Sequence, residues 1–108
     1  MAEKTIMLAC SAGMSTSLLV SKMQAAAKAD GVDYKIFATA ASDIDHQLGS
    51  DTKPDVLLLG PQIGYMANDI KKKTDQVGIP MAMINMQDYG MMNGEAVLTN
   101  AEKLLGDK

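Results

Sequence analysis

The sequence predicts an α/β fold in which a parallel sheet carries helices on both faces. Three observations predict it: four short apolar runs read as strands, stretches of helical periodicity lie between them, and the alternation of the two is strict. Crossovers of that length join parallel strands, not hairpins. The 108 residues, 47% of them apolar, fit one domain spanning residues 1–108. A chain of this size buries roughly 65% of its unfolded surface, enough for one core. No repeat, low-complexity tract or linker interrupts it.

The strands are residues 5–9, 34–39, 56–59 and 81–84, each apolar enough for burial on both faces. The first helix spans residues 16–29, with Leu19, Met23 and Ala26 facing inward; a Ser/Thr cluster starts it and Gly31 is placed to stop it. A short helix over residues 43–48 pairs Ile44 with Leu48 under a Ser42 cap. The third helix, residues 62–77, has the clearest pattern: Ile63, Met66, Ala67, Ile70 and Val77 recur at helical spacing. Its other side carries Asn68, Asp69, Lys71, Lys72, Lys73 and Asp75, a solvated face. The last helix, residues 95–105, follows Asn93 and Gly94 and turns Val97, Ala101, Leu104 and Leu105 inward. Ligands in such sheets bind past the carboxyl ends of the strands. Here that edge is formed by residues 10–15, 40–42, 60–61 and 85–93.

Composition narrows the function. A net charge of −3 provides no basic field, so nucleic acid and anionic lipid are not expected partners. All ten basic residues are Lys, so the chain lacks the planar bidentate fork that arginine brings to phosphate. A single Cys permits no internal disulfide, and no secretory leader pattern opens the chain, so a cytoplasmic location is expected. Unbroken apolar runs reach only four or five residues, against the ~20 that span a bilayer, so no membrane insertion is expected.

Chemistry concentrates in one loop. Cys10 follows the first strand and precedes Ser11, Ala12, Gly13, Met14, Ser15, Thr16 and Ser17, whose small residues let main-chain N–H groups turn toward the sulfur as an anion nest. The first helix starts on its far side and adds unpaired N–H groups and partial positive charge. A cysteine with an ordinary pKa of about 8.5 becomes a better nucleophile in such a field. The hydroxyls of Ser15, Thr16 and Ser17 serve either a bound phosphoryl group or the helix cap. Cys-based phosphatases use the pattern C-x5-R, and here Thr16 stands at the arginine's place. Without a forked cation to stabilise charge during attack by water, such a loop should hold a phosphoryl group, not hydrolyse it. Held until an acceptor arrives, that group makes the chain a carrier.

The segment Cys10-Ser11-Ala12-Gly13-Met14-Ser15-Thr16-Ser17-Leu18-Leu19-Val20-Ser21-Lys22-Met23, together with Asp55-Val56-Leu57-Leu58-Leu59-Gly60-Pro61-Gln62-Ile63-Gly64-Tyr65-Met66, resembles the IIB component of the lactose, cellobiose and chitobiose branch of the bacterial phosphoenolpyruvate-dependent sugar phosphotransferase system. The resemblance covers most of the chain. It implies a sheet of strand order 2-1-3-4 with Cys10 at the switch point. It also implies that Cys10 takes a phosphoryl group from a phosphohistidine of the IIA component. The group then passes to a β-linked disaccharide (lactose, cellobiose or chitobiose) bound by the membrane component IIC. Departures from the family pattern fall in residues 38–53 and 87–93.

Other residues admit two roles. Gln62, beside the first loop, either approaches the phosphoryl group or forms only the first turn of helix three. His46 is read as an exposed, idle residue. Met81 and Met83 alternate in a strand and read as core, while Met14, Met91, Met92 and Tyr89 are expected to form a pliable patch for partners. The rival functions are a phosphatase or arsenate reductase using the same loop, and a copper(I) module built on the methionines of residues 81–92. No cofactor or metal motif is visible.

Overall fold

A computed structural model describes residues 4–11, 16–50 and 53–106. Four parallel strands, β1 (Lys4–Cys10), β2 (Tyr34–Ala40), β3 (Val56–Leu59) and β4 (Met81–Met83), pair in the order β2-β1-β3-β4. Ile6 lies opposite Ile36 on one side and Val56 on the other, and Leu57 lies opposite Met81. The expected strands are all present and differ from the observed ones by no more than one residue at an end.

Strand alternation divides the core. Ile6 and Leu8 of β1 with Val56 and Leu58 of β3 face α1 (Ser17–Ala29) and the C-terminal helix, meeting Leu19, Met23, Val97, Leu98 and Ala101. Met7, Ala9, Leu57 and Leu59 face the opposite way, onto Ile44 and Leu48 of α2 (Ile44–Leu48), Ile63, and Ile70 of α3 (Ala67–Val77). Residues Ile6 through Cys10 have no exposed surface, so the first strand is apolar without alternation because both its faces are covered.

The helices follow the sequence with four corrections. First, Thr16 caps α1 and the inward stripe is Leu19, Val20, Met23 and Ala27, with Ala26 half-buried. The helix ends as expected at Gly31 (φ +74), where Gly31 N–H donates to Lys28 and Val32 N–H to Ala27, the paired bonds of a left-handed C-terminal stop.

Second, Ser42 is not the cap of α2. It lies in a 3₁₀ turn (Ala41–Asp43), and the Asp43 carboxylate accepts from Thr39 Oγ1 at 3.3 Å and Gln47 Nε2 at 3.2 Å.

Third, residues 62–77 are not one helix. A 3₁₀ stretch (Pro61–Met66) precedes α3, and Ile63 leaves the helical region at φ −113, ψ 24. Apolar spacing of three reads alike for both helix types, so the break was invisible to periodicity.

Fourth, residues 85–93 contain a helix, α4 (Met86–Gly90), capped by Asn85 Oδ1 accepting from Gln87 and Asp88 N–H at 2.8 and 3.2 Å. It ends with Met92 at φ +52, a left-handed position occupied here by a side chain that packs on the core.

The C-terminal helix α5 (Gly94–Leu105) starts from Asn93, whose Oδ1 accepts from Ala96 N–H at 3.1 Å. Val97 and Ala101 are buried as expected, joined by Leu98 and Glu102, whereas Leu104 is exposed. Glu102 is buried because its carboxylate accepts from the Tyr34 hydroxyl at 2.9 Å. No helix among the described residues is long and apolar enough to cross a membrane.

Gly94 sits directly on the α1 backbone. A Cβ there would lie 2.5 Å from the Lys22 carbonyl carbon and 2.6 Å from Met23 N. Backbone cannot yield as a flexible side chain does, so Gly94→Ala is expected to push α5 off α1 and lower stability by about 1–3 kcal/mol, read as a reduced urea midpoint at unchanged slope.

Candidate functional site at the carboxyl edge of the sheet

Because β1 leads through α1 to β2 on one side and is flanked by β3 on the other, its carboxyl end lies where the strand order reverses. Cys10 occupies that end. It is the register partner of Ala40. On the other side, Gly60 N–H donates to the Ala9 carbonyl at 2.7 Å, extending the β1–β3 pairing up to the cysteine. The sulfur is therefore mounted on a strand fixed from both sides.

Thr16 meets it. The Thr16 hydroxyl donates to Cys10 Sγ at 3.7 Å, and both residues are 0% exposed. Thr16 is the N-cap residue of α1 at φ −92, ψ −6, and its carbonyl accepts from Val20 N–H at 2.9 Å. Its side chain makes no cap bond, forgoing a contribution that typically stabilises a helix by ~1 kcal/mol. Ser17, the first residue of α1, is exposed, as is Ser11. Ala12, Gly13, Met14 and Ser15 lie outside the described residues.

Gly60 closes the site on the β3 side. A Cβ on Gly60 would stand 2.9 Å from Gln62 Oε1, 3.3 Å from the Ala9 carbonyl oxygen and 3.4 Å from Cys10 Cβ. The Gln62 carboxamide, exposed and on the 3₁₀ stretch, thus lies over Gly60 within a short reach of Cys10. Gln62 thus lies in the first turn after β3, one of the two roles weighed for it, and its carboxamide borders Gly60 beside the cysteine. Sequence reasoning missed the glycine, although a Gly-Pro pair directly after a buried strand is a signal of close backbone approach.

Residues read as bystanders lie away from the cysteine. His46 is exposed on α2, consistent with an idle residue. Lys71 pairs with Asp75 and Lys73 with Asp45, as a solvated face requires. Among the described residues, no group of three or more His, Cys, Asp or Glu side chains is placed to hold a metal ion. Of the methionines of residues 81–92, Met81 packs on the α2–α3 side of the sheet and Met92 on the α1–α5 side.

The apolar patch also differs from expectation. Tyr89 and Met92 are half-buried against the core, and Met83, expected in the core, is exposed because β4 is an edge strand. Of the six large exposed apolar side chains among the described residues, Leu18, Tyr65, Met83, Met86 and Met91 all lie on segments that end or follow a strand at this carboxyl edge. Tyr65 is 83% and Met86 78% exposed. A buried sulfur facing a hydroxyl at a helix start, at the sheet edge from which segments with exposed apolar side chains lead away, is chemically suited to nucleophilic group transfer in contact with another macromolecule.

Comparison with known proteins agrees in family and fold. The family model described as "PTS system, Lactose/Cellobiose specific IIB subunit" matches residues 5–100. The galactose-specific EIIB component of Lactococcus lactis subsp. cremoris (strain MG1363) is 58% identical over 107 residues, covering 97% of this chain and 99% of that one. The cellobiose-specific EIIB component of Lactococcus lactis subsp. lactis (strain IL1403) matches at the same identity and coverage. The oligo-beta-mannoside-specific EIIB component of Bacillus subtilis (strain 168) is 37% identical over 94% of this chain and 96% of its own. Among solved structures, the cellobiose-specific IIB component from Borrelia burgdorferi superposes with a TM-score of 0.80 at 36% identity, over 99% of this chain and 95% of that one. The lactose-specific IIB domain from Streptococcus pneumoniae shares the fold, with a TM-score of 0.81 at 15% identity over 95% of this chain and 98% of that one. A match over nearly the whole sheet, including the strand that bears Cys10, makes the chain a member of the lactose/cellobiose-specific IIB family of the phosphotransferase system.

Proposed function

We propose that the chain is a cytoplasmic phosphocarrier in which Cys10 accepts a phosphoryl group from a phosphohistidine of a IIA component and delivers it to a β-disaccharide held by a membrane IIC component. The observation that carries this is the placement of Cys10 at the sheet's switch point, its sulfur bonded by the Thr16 hydroxyl at the start of α1. In the first step the Cys10 thiolate forms an S–P bond as the N–P bond breaks, and the electron pair of that bond returns to the imidazole nitrogen. In the second, a sugar hydroxyl forms an O–P bond as S–P breaks and the thiolate leaves; the hydroxyl proton goes to a base on the IIC side. Main-chain N–H groups from Ser11, Ala12, Gly13, Met14, Ser15, Thr16 and Ser17 take up the phosphoryl oxygens, with Gln62 as support. Neither step calls for a metal or cofactor.

The sugar is chosen by the component that binds it. Relatives named for galactose and for cellobiose are equally similar to this chain, which fits a carrier that handles only the phosphoryl group. The exposed Leu18, Tyr65, Met83, Met86 and Met91 form the face that receives the donor and then the acceptor protein. A phosphatase acting through the same loop is disfavoured because the chain has no Arg to stabilise charge when water attacks.

Two experiments test this. Incubated with phosphoenolpyruvate, the general phosphotransfer proteins and IIA, the chain should gain one phosphoryl group, located on Cys10 by mass spectrometry. Cys10→Ser should gain none while keeping its circular dichroism and urea midpoint. Label on His46, or steady phosphate release from an aryl phosphate by the isolated chain, would overturn the proposal. Replacing Tyr65 and Met86 together by Ser should raise the KM for phosphorylated IIA about tenfold and change kcat less than about threefold, since such contacts act on association and each contributes ~1 kcal/mol.

A further inference from the structure

We propose that the Thr16 hydroxyl is the hydrogen-bond donor that holds the Cys10 sulfur for attack in the empty carrier, and that it transfers this bond to a phosphoryl oxygen once the group has arrived. The proposal rests on the carrier function above and assigns the hydroxyl a specific part in it.

Three features of the structure converge. The hydroxyl donates to Sγ at 3.7 Å, with both residues fully enclosed. The same hydroxyl makes no cap bond to α1, although Thr16 is the cap residue and a threonine there ordinarily accepts from the helix. Finally, the chain contains no Arg, so no guanidinium is available to the sulfur, and the Thr16 hydroxyl is a donor that reaches it. A buried threonine whose only use is filling space would be replaced at no loss by valine, which has its shape and no polar atom to desolvate.

The bond suits both states of the carrier. Before transfer, a donor aimed at sulfur stabilises the negative charge and restricts the direction of the lone pair that forms the S–P bond. As the N–P bond of the donor breaks and its electron pair returns to imidazole, sulfur becomes neutral and the charge moves to the phosphoryl oxygens. The hydroxyl proton can turn about the Cβ–Oγ1 bond to follow that charge, and it stays on oxygen throughout. Thr16 thereby supplies one of the contacts that a forked cation provides in a phosphatase, without the fixed positive charge that assists attack by water.

Thr16→Val and Thr16→Ser separate this from packing because the two roles rank them oppositely. A donor role predicts that Val, isosteric but without the hydroxyl, accepts the phosphoryl group from IIA about tenfold to a hundredfold more slowly, while Ser stays within about threefold of the parent. A packing role predicts the reverse, because Ser removes a buried methyl group and Val removes none. Circular dichroism and the urea midpoint qualify each variant, and Thr16→Ala serves as a second donor-free variant if Val fails to fold. Alkylation of Cys10 by iodoacetamide at neutral pH supplies a readout independent of the phosphotransfer proteins. The donor-free variant should react several-fold more slowly than the parent, and Ser close to it. Ser slower than Val in either assay overturns the proposal. If the parent chain takes no label from IIA, the carrier function falls, and the alkylation order still decides whether the hydroxyl acts on the sulfur.

Discussion

Parallel pairing of β1 on both sides is the constraint on which the rest depends. The strand is apolar from Ile6 to Cys10 because two neighbours occupy its edges and two helix layers its faces. A reactive group at the end of such a strand inherits its immobility. The Gly60 N–H bond to Ala9 carries the β1–β3 pairing up to the cysteine, so the sulfur sits on backbone held from both sides to within one residue. Rigidity of this kind matters for in-line transfer, where small displacements of the nucleophile are costly.

The helix layers divide the labour. α2 and α3 cover one face, whereas α1, on the other face, both packs the core through Leu19 and Met23 and delivers Thr16 to the sulfur. α5 locks α1 in place through the bare backbone of Gly94. The buried carboxylate of the fold, Glu102, is paired with Tyr34 at the start of β2, the opposite end of the sheet from Cys10. The Glu102 carboxyl group and the Cys10 sulfur, at opposite ends of the strands, draw on different hydroxyl donors.

Most of this was legible in the residues. Apolar runs bounded by polar turns gave every strand to within a residue, since burial on both faces leaves a continuous signal, and Gly31 marked the end of α1 because a left-handed residue was needed there. Strand order was not contained in spacing and came from family resemblance. Short-range features were lost. The turn at Pro61–Met66 has the same apolar spacing as a helix, α4 has too few residues to show a period, and the exposure of Met83 depends on β4 being an edge, which is a property of the assembled sheet. In the site, Cys10 was identifiable by position, and Thr16 was legible as a hydroxyl but not as a donor to sulfur, because a cap residue and a thiol ligand look alike in one dimension. Of the residues expected in an apolar patch, Met91 is exposed, Tyr89 and Met92 turn to the core, and Met14 lies outside the described residues.

In the proposed carrier, the missing arginine and the exposed apolar side chains at this edge of the sheet would answer the same demand. Forked cations and well-placed oxyanion donors each accelerate phosphoryl transfer by orders of magnitude, whatever the acceptor. A carrier that supplied them all would hydrolyse its own cargo between partners. In the proposed carrier, hydroxyl and main-chain donors would bind the phosphoryl group with less transition-state assistance, and a protein docked on the exposed face would bring the remainder. Apolar contact is suited to that face because it has no directional bonds that a second, differently shaped partner would have to reproduce. Tyr65 and Met86, exposed at the rim, provide such a surface without adding charge that would stabilise attack by water. On the proposed function, selectivity for the acceptor would come from which protein excludes solvent over Cys10, with no recognition of the sugar required of the chain.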